Sequence, residues 1–243
     1  MPDHTAKVEL FDQFARVAGA LASGRRAEIV DVLANGERSV EELSRQVDLS
    51  VANTSQHLQV LKEAGLVTAT REGTRVRYRL ASPAVYRFWV TVRSLAAERL
   101  PGLERLAQAY LGSREDVDSI TREELQARLA AGEPLLVVDV RPVEEYAVAH
   151  LPGALSIPLP ELESRLSELP ADREIVAYCR GPYCAYAPDA VRLLRSRGLS
   201  ARALEDGFPD WAAAGNPSSG LWLAERNPRG SKPHDRERGL NQQ

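Results

Sequence analysis

The chain has 243 residues, which is enough for two domains of ordinary size with separate hydrophobic cores. Residues 1–111 carry 15 basic against 13 acidic side chains and the rest 16 against 21. This asymmetry of sign places a nucleic-acid surface in the first part, where local clustering of arginines rather than net charge supports DNA binding. The sequence contains no membrane-length apolar run and begins without the basic and apolar pattern of a secretion signal, which predicts a cytoplasmic protein with no membrane partner.

Two helices joined by a tight turn are predicted between Ser39 and Gly65. Ser39 and Glu42 have the spacing of a capping box, and Ser50 is placed to cap the second helix. The predicted buried stripe of that helix is Val51, Thr54, Leu58 and Leu61. Its opposite face carries small and amide side chains, which suit base edges in a DNA major groove. The candidate base-contacting residues are Asn53, Ser55, Gln56, His57 and Gln59.

Two alternating segments follow this pair of helices and predict a β-hairpin, with residues 66–70 and 75–80 as its strands. Arginines decorate the hairpin, and guanidinium groups along a phosphate backbone add salt-dependent affinity without base selectivity. They are Arg71, Arg75, Arg77 and Arg79. The whole segment predicts a winged helix-turn-helix, a mainly α-helical DNA-binding domain.

Amphipathic helices are predicted on both sides of the winged helix. The first apolar stripe is Phe11, Phe14, Val17, Ala18 and Leu21, and the second is Val85, Phe88, Trp89, Val92, Leu95 and Ala96. Both stripes are too apolar for isolated surface helices, so they predict a dimer. The second helix is expected to continue to Tyr110 with a kink or break at Pro101 and Gly102.

Residues Phe11 to Leu111 resemble the small repressors of the ArsR family. The resemblance rests mainly on two segments, Leu61-Lys62-Glu63-Ala64-Gly65-Leu66-Val67 and Gly73-Thr74-Arg75-Val76-Arg77-Tyr78. It implies a homodimer on a two-fold symmetric operator of double-stranded DNA, with the first and last helices at the dimer seam.

Many ArsR repressors sense a metal, but the ligands for one are missing from this sequence. No cysteine precedes Cys179, and the four histidines are scattered along the chain: His4, His57, His150 and His234. Soft metals need clustered thiolates, and harder metals need clustered histidines and carboxylates. We therefore expect neither a metal nor a cofactor.

A polar stretch over residues 112–116 predicts a boundary between two domains. The expected organisation is a DNA-binding and dimerisation domain over residues 1–111 and an α/β domain over residues 117–223. The polar segment that follows, residues 224–243, is predicted to be a disordered tail.

Both cysteines of the chain lie in one loop, Cys179-Arg180-Gly181-Pro182-Tyr183-Cys184. It lies between a predicted buried strand over residues 174–178 and a predicted helix over residues 186–197. The start of a helix favours negative charge, so we expect a lowered pKa for Cys179 as a thiolate or persulfide. Arg180 adds a positive charge nearby, while Pro182 removes one amide donor from the loop.

The surroundings of this loop resemble the single-domain rhodaneses over about one hundred residues, a whole domain. The landmarks are Leu135-Leu136-Val137-Val138-Asp139-Val140-Arg141, Glu145-Tyr146 with His150-Leu151-Pro152-Gly153-Ala154, and Gly207-Phe208 with Trp211. The resemblance implies an α/β fold with a parallel sheet in which Cys179 accepts sulfane sulfur from thiosulfate or a persulfide. Phosphatase chemistry would need an arginine where this chain has Ala185.

The charged landmarks of this segment are expected to be architectural. Asp139, Arg141 and His150 suit a strand end and a turn, and Arg141 could pair with Glu144 or Glu145.

Cys184 leaves two interpretations open. It could attack a modified Cys179 and close a disulfide within the loop. Alternatively, it is a small, half-buried residue at a helix start with no chemical role.

The sequence as a whole predicts a dimeric DNA-binding repressor whose rhodanese domain loads sulfur onto Cys179. Persulfidation, or a disulfide between Cys179 and Cys184, would shift the dimer between operator-bound and released states. Two alternatives stay open. One is a sulfurtransferase whose winged helix only dimerises or recruits, and the other is a thiol-disulfide sensor that responds to oxidants.

Overall fold

The computed structural model describes residues 3–223, and within that range no helix is both long and apolar enough to cross a membrane. The predicted tail over residues 224–243 lies outside the described residues. A mainly α-helical winged helix-turn-helix comes first and is followed by an α/β domain on a parallel sheet, so the predicted fold class is confirmed.

The first domain consists of a helical body and a three-stranded antiparallel sheet in the order β1-β3-β2. Its elements are α1 (His4–Ala20), α2 (Gly24–Leu33), β1 (Arg38–Ser39), α3 (Val40–Gln46), α4 (Val51–Glu63), β2 (Val67–Glu72), β3 (Arg75–Leu80), α5 (Pro83–Arg99) and α6 (Leu103–Leu111). The predicted pair of helices is α3 and α4, and the predicted hairpin is β2 and β3.

The predicted capping box fixes the start of α3. The Ser39 amide donates to the Glu42 carboxylate at 2.6 Å, and the Glu42 amide donates to Ser39 Oγ at 3.2 Å. In α4, Thr54, Leu58 and Leu61 are buried as predicted, but Val51 is 46% exposed. Val51 begins the first turn of α4, where no described element covers the stripe.

The long helix after the wing breaks rather than kinks at the predicted place. Leu100 is extended and Gly102 has a φ of 93°, so α5 and α6 are separate helices. Proline disfavours a helical residue before it and donates no backbone hydrogen bond, which accounts for the break at Pro101.

The second domain is built around a five-stranded parallel sheet in the order β4-β9-β8-β5-β7. Its elements are β4 (Ser119–Ile120), α7 (Arg122–Ala130), β5 (Leu135–Asp139), α8 (Val143–Val148), β6 (Ala149–His150), β7 (Leu155–Ser156), α9 (Leu159–Leu162), β8 (Glu174–Tyr178), α10 (Tyr186–Ser196), β9 (Ala201–Leu204), α11 (Phe208–Ala213) and β10 (Ser219–Gly220). β8 is the middle strand, and Asp139 and Tyr178 are paired at the carboxyl ends of β5 and β8. The cysteine loop therefore leaves the sheet at its centre.

The end of the described chain returns to the first domain. The Trp222 ring packs on Tyr86 of α5 at 6.1 Å between ring centroids, and its indole N–H donates to the Ala34 carbonyl at 2.8 Å. Leu223 also packs against the core of the winged helix. The two domains share an apolar interface, although they are separate in sequence.

A buried ion pair joins α5 to α11. Arg93 donates to the carboxylate of Asp210, and both side chains are largely buried. Asp210 also accepts a hydrogen bond from the Gly207 amide at 3.2 Å, so it caps α11 and anchors α5 at once. Loss of one partner would leave a buried charge without compensation.

We expect Asp210→Asn to lower the free energy of unfolding by about 3 kcal/mol, because it leaves the buried Arg93 guanidinium with only the more distant carboxylate of Asp31, at 3.8 Å. Urea denaturation measures the change. The control is Asp206→Asn, whose carboxylate pairs with Arg122 at 3.0 Å in a more exposed position and within one domain. Its expected cost is below about 1 kcal/mol, and equal losses in the two variants would contradict the role assigned to the interdomain pair.

Candidate functional site

The cysteine loop connects β8 to α10 and holds both thiols in reduced form. Cys179 directly follows β8 and is 2% exposed, whereas Cys184 is half-buried and lies two residues before α10 begins. The neighbouring Gly207 is so close to the loop that a Cβ there would overlap the backbone of Arg180. The glycine of the predicted Gly207-Phe208 landmark therefore allows the loop to lie against α11.

Cys179 is surrounded by apolar groups and carbonyl oxygens. Its sulfur lies 3.9 Å from the Gly181 carbonyl oxygen and 3.8 Å from that of Cys184. Burial raises the pKa of the Cys179 thiol well above its ordinary value, and the proximity of Cys184 raises it further. The predicted lowering of this pKa is therefore wrong for the resting loop.

Cys184 carries the lowered pKa instead. A hydrogen bond from the Cys179 thiol, together with backbone amides of Arg180 and Tyr186 and the charge of Arg180, lowers the pKa of Cys184 to about 6. Amides at the start of α10 act on both sulfurs, Tyr186 on Cys184 and Ala187 on Cys179, but burial outweighs this effect at Cys179. A lowered pKa is what a reactive thiol at this position would need, and both interpretations of Cys184 stay open.

Arg180 makes its hydrogen bonds to a carboxylate rather than to the sulfur atoms. Its guanidinium binds both oxygens of Glu145 on α8, with Nη2 2.7 Å from Oε1, and lies over the Tyr186 ring at 5.4 Å. The Glu145 side chain is only 2% exposed and accepts a second guanidinium, Arg38 Nη2, at 2.9 Å. One buried carboxylate thus holds an arginine of the cysteine loop and an arginine of β1 in the winged helix.

Arg141 is fully buried and pairs with Asp139 rather than with Glu144 or Glu145. Its Nη2 lies 2.6 Å from Asp139 Oδ2 and 2.8 Å from the Ala149 carbonyl oxygen. The predicted pairing is wrong because Asp139 faces Arg141 from the adjoining strand end and Glu145 is already bound by two arginines. The enclosed position is compatible with the architectural role expected for these side chains.

Two open volumes meet at Cys184. One, of about 260 Å³, is lined by Cys179 and Cys184 together with Arg114 of the interdomain linker and Glu205. The other, of about 340 Å³, separates the cysteine loop from the winged helix and is lined by Tyr183 and Arg93 among others. The Arg93 guanidinium lies 6.0 Å from the Tyr183 ring centroid. Cys184 is therefore reachable from the cleft between the domains, whereas Cys179 lies on the inner cavity.

The predicted base-contacting face of α4 is largely open to solvent. Asn53, Ser55, Gln56 and Gln59 are exposed, and His57 is half-buried. Ser55 Oγ donates to the Val51 carbonyl at 2.9 Å, and Gln59 donates to Glu63 at 2.9 Å. These side chains form one polar surface, and their contact with bases remains a prediction.

The wing does not present its four arginines as one row. Arg71 and Arg75 are exposed near the tip, but Arg77 donates to the Glu37 carbonyl at 2.9 Å and Arg79 lies 3.6 Å from the Glu37 carboxylate. Strand alternation explains part of the difference, since Arg71 pairs with Val76 and so lies on the other face of the hairpin. In this structure, only the two tip arginines match the predicted exposed surface.

Only part of each predicted apolar stripe is available for a partner. Leu21 and Val85 are buried, and Phe88 and Trp89 pack against the core of their own domain. The large apolar side chains that stay exposed on α1, on α5 with the break that follows it, and on α6 are Val8, Leu10, Phe11, Phe14, Val17, Val92, Leu95, Leu100, Leu106 and Tyr110. Phe11 is 58% exposed and Tyr110 78% exposed, which is unusual for large apolar side chains that have no partner.

Two family models match the chain. The bacterial regulatory protein family arsR covers residues 23–69, and the rhodanese-like domain covers residues 121–214. The HTH-type transcriptional regulator Rv0324 of Mycobacterium tuberculosis is 51% identical over 211 residues, which is 87% of this chain and 92% of that protein. The chain belongs to the ArsR-family transcriptional regulators that carry a rhodanese-like domain. The predicted family resemblances of both halves are confirmed.

Other relatives of this ArsR-family regulator match one half of the chain. A sulfurtransferase of Allochromatium vinosum is 37% identical over 101 residues, 42% of this chain and 94% of that protein. A homodimeric winged helix-turn-helix fragment of Mb0332 from Mycobacterium bovis has 45% identity and a TM-score of 0.39, over 41% of this chain and 93% of that one. A thiosulfate sulfurtransferase from Pseudomonas aeruginosa has 28% identity and a TM-score of 0.41, over 47% of this chain and 22% of that one.

Sequence analysis missed the side chains that join the cysteine loop, called the sulfur loop below, to the DNA-binding domain. They are Arg38, Arg93, Arg114, Glu145 and Asp210. Arg38 and Glu145 are 107 positions apart, so no local pattern could have paired them. The sequence did mark Glu145, which belongs to a rhodanese landmark, but no pattern indicated that its carboxylate would bind an arginine of the other domain.

We expect iodoacetamide to label Cys184 with a rate that falls as the pH is lowered through about 6, because the reactive thiolate is protonated there. Cys179→Ala removes the S–H donor that stabilises this thiolate, so the pKa of Cys184 should rise and labelling at pH 7 should slow. Cys179→Ser retains a hydrogen-bond donor, so its Cys184 labelling rate should lie between those of the unmodified protein and Cys179→Ala. Mass spectrometry of the labelled peptide measures each rate, and an unchanged pH midpoint in Cys179→Ala would contradict the stabilisation of the Cys184 thiolate by Cys179.

Proposed function

We propose that this ArsR-family regulator binds a double-stranded DNA operator as a homodimer and changes its operator affinity when Cys179 takes up sulfane sulfur. The observation that carries the proposal is the shared carboxylate of Glu145, which binds Arg180 of the sulfur loop and Arg38 of the winged helix. Through this carboxylate, a change in the sulfur loop reaches the DNA-binding domain by direct contacts.

Arg38 lies at a sensitive place in the winged helix. In β1 it pairs with Tyr78 of β3, the second strand of the wing. The next residue, Ser39, caps α3, the first helix of the helix-turn-helix. Movement of the Arg38 guanidinium therefore acts on the wing and on the helix that supports α4.

Sulfur chemistry in the loop supplies the charge change that can move these groups. Arg180 already interacts with the charge of Cys184 as well as with Glu145. A persulfide on Cys179 adds a negative charge near Arg180, and a disulfide removes the charge of Cys184. Either change alters how strongly Glu145 holds the Arg180 guanidinium. A charge-assisted hydrogen bond is worth about 1.5–3 kcal/mol, and a tenfold change in DNA affinity needs only about 1.4 kcal/mol.

Dimerisation is supported by the exposed apolar side chains of α1, α5 and α6. Phe11 and Phe14 form an edge-to-face pair at 5.7 Å between centroids, and both remain exposed in the single chain. A second copy that covers these surfaces would place two α4 helices on the two halves of a symmetric operator.

DNA recognition is assigned to the polar face of α4 and the tip of the wing. Asn53, Ser55, Gln56, His57 and Gln59 are the proposed base contacts. Arg71 and Arg75 are the proposed phosphate contacts, and Arg77 would join them after release from Glu37.

The thiol-disulfide sensor remains a second candidate because of one observation, the lowered pKa of Cys184 beside the buried Cys179 thiol. Attack of the Cys184 thiolate on an oxidised Cys179 would close the disulfide without any sulfur donor. A sulfurtransferase whose winged helix only dimerises or recruits would show sulfur turnover with unchanged DNA binding.

We expect an alkyl persulfide to change operator affinity at least tenfold at fixed salt in the unmodified regulator and to have no effect on Cys179→Ser. Fluorescence anisotropy with a labelled operator fragment measures affinity, and mass spectrometry of the same samples identifies the sulfur adduct. Adduct formation with constant DNA affinity would support tethered, independent domains. A response to peroxide together with no response to the persulfide would support the disulfide sensor.

We also expect Arg71→Ala and Arg75→Ala each to reduce the slope of log affinity against log salt by about 0.9, because each removes one phosphate contact. Titrations between low and physiological salt give the slope. The matched control is Arg173→Ala, an exposed arginine of the rhodanese-like domain that lies beside Asp172. Equal slopes for Arg75→Ala and Arg173→Ala would show that Arg75 at the wing tip does not contact the DNA phosphates.

A further inference from the structure

A short strap, residues 219–223, carries the chain from the rhodanese-like domain back to the winged helix. It lies beyond the segment that matches the rhodanese-like family, residues 121–214. The strap begins as β10, which pairs antiparallel with β6, and the Leu221 amide then donates to the Val148 carbonyl at 3.1 Å. Gly220 has a φ of 91°, and a Cβ there would overlap the Val148 carbonyl oxygen. The strap therefore lies directly on the rhodanese-like domain, in a conformation that favours glycine.

Trp222 of the strap contacts the hydrophobic cores of both domains. Its ring packs edge-to-face on Tyr86 of α5 at 6.1 Å and on Phe208 of α11 at 6.3 Å between ring centroids. Both of these partners are buried, and each belongs to the core of a different domain. The other two tryptophans, Trp89 and Trp211, each belong to the core of one domain. The Trp222 indole therefore bridges two cores that are otherwise separate.

The same indole holds the connection between α2 and β1, residues 34–37. Its N–H donates to the Ala34 carbonyl at 2.8 Å. The next residue, Asn35, has its Oδ1 3.5 Å from Arg141 Nη1, and Arg38 at the end of the connection lies 2.9 Å from Glu145. This short segment of the winged helix is thus held on the rhodanese-like domain at three points. It leads directly into β1 and α3, so its position affects the sheet of the wing and the helix-turn-helix.

We propose that Trp222 is a positioning residue that holds the α2–β1 connection on the rhodanese-like domain and thereby couples the sulfur loop to the wing. The coupling rests on the proposed function, in which Glu145 transmits a change at Arg180 to Arg38. A displacement of Arg38 moves β1 and the wing only if the connection before it does not yield. The hydrogen bond to Ala34 provides this fixed point, because its donor belongs to a strap that is anchored on β6.

Two variants separate the indole from the strap that carries it. Trp222→Ala removes the indole, whereas Gly220→Ala keeps the indole but displaces the strap, because the added Cβ would overlap Val148. In both variants we expect an alkyl persulfide to load Cys179 at a rate within about twofold of the unmodified rate, as measured by mass spectrometry. The change in operator affinity on loading should fall from at least about tenfold to below about twofold, as measured by fluorescence anisotropy at fixed salt.

A conservative variant and a matched control complete the series. Trp222→Phe keeps a ring against Tyr86 but donates no hydrogen bond to Ala34, so its affinity response should lie between those of the unmodified protein and Trp222→Ala. Leu221→Ala changes the neighbouring side chain of the same strap, which is 77% exposed, and keeps the backbone amide that anchors it. It should respond as the unmodified protein does.

Hydrogen exchange measures the positioning itself, without sulfur or DNA. Peptides that cover residues 34–39 should exchange about fivefold faster or more in Trp222→Ala than in the unmodified protein, while peptides from α4 should not change. Unchanged exchange over residues 34–39, or a tenfold affinity response in Trp222→Ala, overturns the proposal. So does a loss of sulfur loading in both Trp222→Ala and Gly220→Ala, which would make the strap a general support of the rhodanese-like domain. If the unmodified protein loads sulfur without any affinity response, the proposed function is overturned instead, and hydrogen exchange still decides whether Trp222 positions the connection.

Discussion

The buried carboxylate of Glu145 is paired with guanidinium groups from both domains. A carboxylate that is 2% exposed is costly unless its charge is paired, and here one guanidinium comes from the sulfur loop and the other from the strand beside the wing. Neither half of the chain completes this arrangement alone. If Arg180 moves away from Glu145, the buried carboxylate keeps only Arg38 as a partner. A half-paired buried carboxylate is less stable than a fully paired one, so Glu145 and Arg38 would rearrange. The same carboxylate thus stabilises the interface and makes it sensitive to the loop.

The two cysteines lie in contrasting electrostatic environments. Cys179 lies at the end of the central strand, where burial raises the pKa of its thiol and disfavours a thiolate. Cys184 lies next to the first amides of α10 and within the field of Arg180, where a thiolate is stable near neutral pH. The two thiols therefore differ in acidity although they lie in one loop, and Cys184 is the one that favours the thiolate.

Local patterns in the sequence were sufficient for the elements and for the family. The Ser39 capping box, the break at Pro101 and the strand-loop-helix around Cys179 each depend on residues close together in the chain, and each was predicted correctly. The pKa of Cys179, the partner of Arg141 and the direction of Arg77 were not predictable in this way. The pKa depends on how deeply the packed domain buries the thiol, and the other two depend on which acceptor the packed structure presents, Asp139 to Arg141 and Glu37 to Arg77.

The sulfur loop is held from three directions, and this limits how it can change. Arg180 fastens it to α8, Arg93 approaches Tyr183 from α5, and Arg114 holds its carbonyls from the linker behind α6. Two of these three arginines belong to helix α5 or to the segment that continues α6, and both helices carry exposed apolar side chains suited to a dimer seam. A rearrangement of the loop that releases Arg114 would therefore also loosen the linker that follows α6.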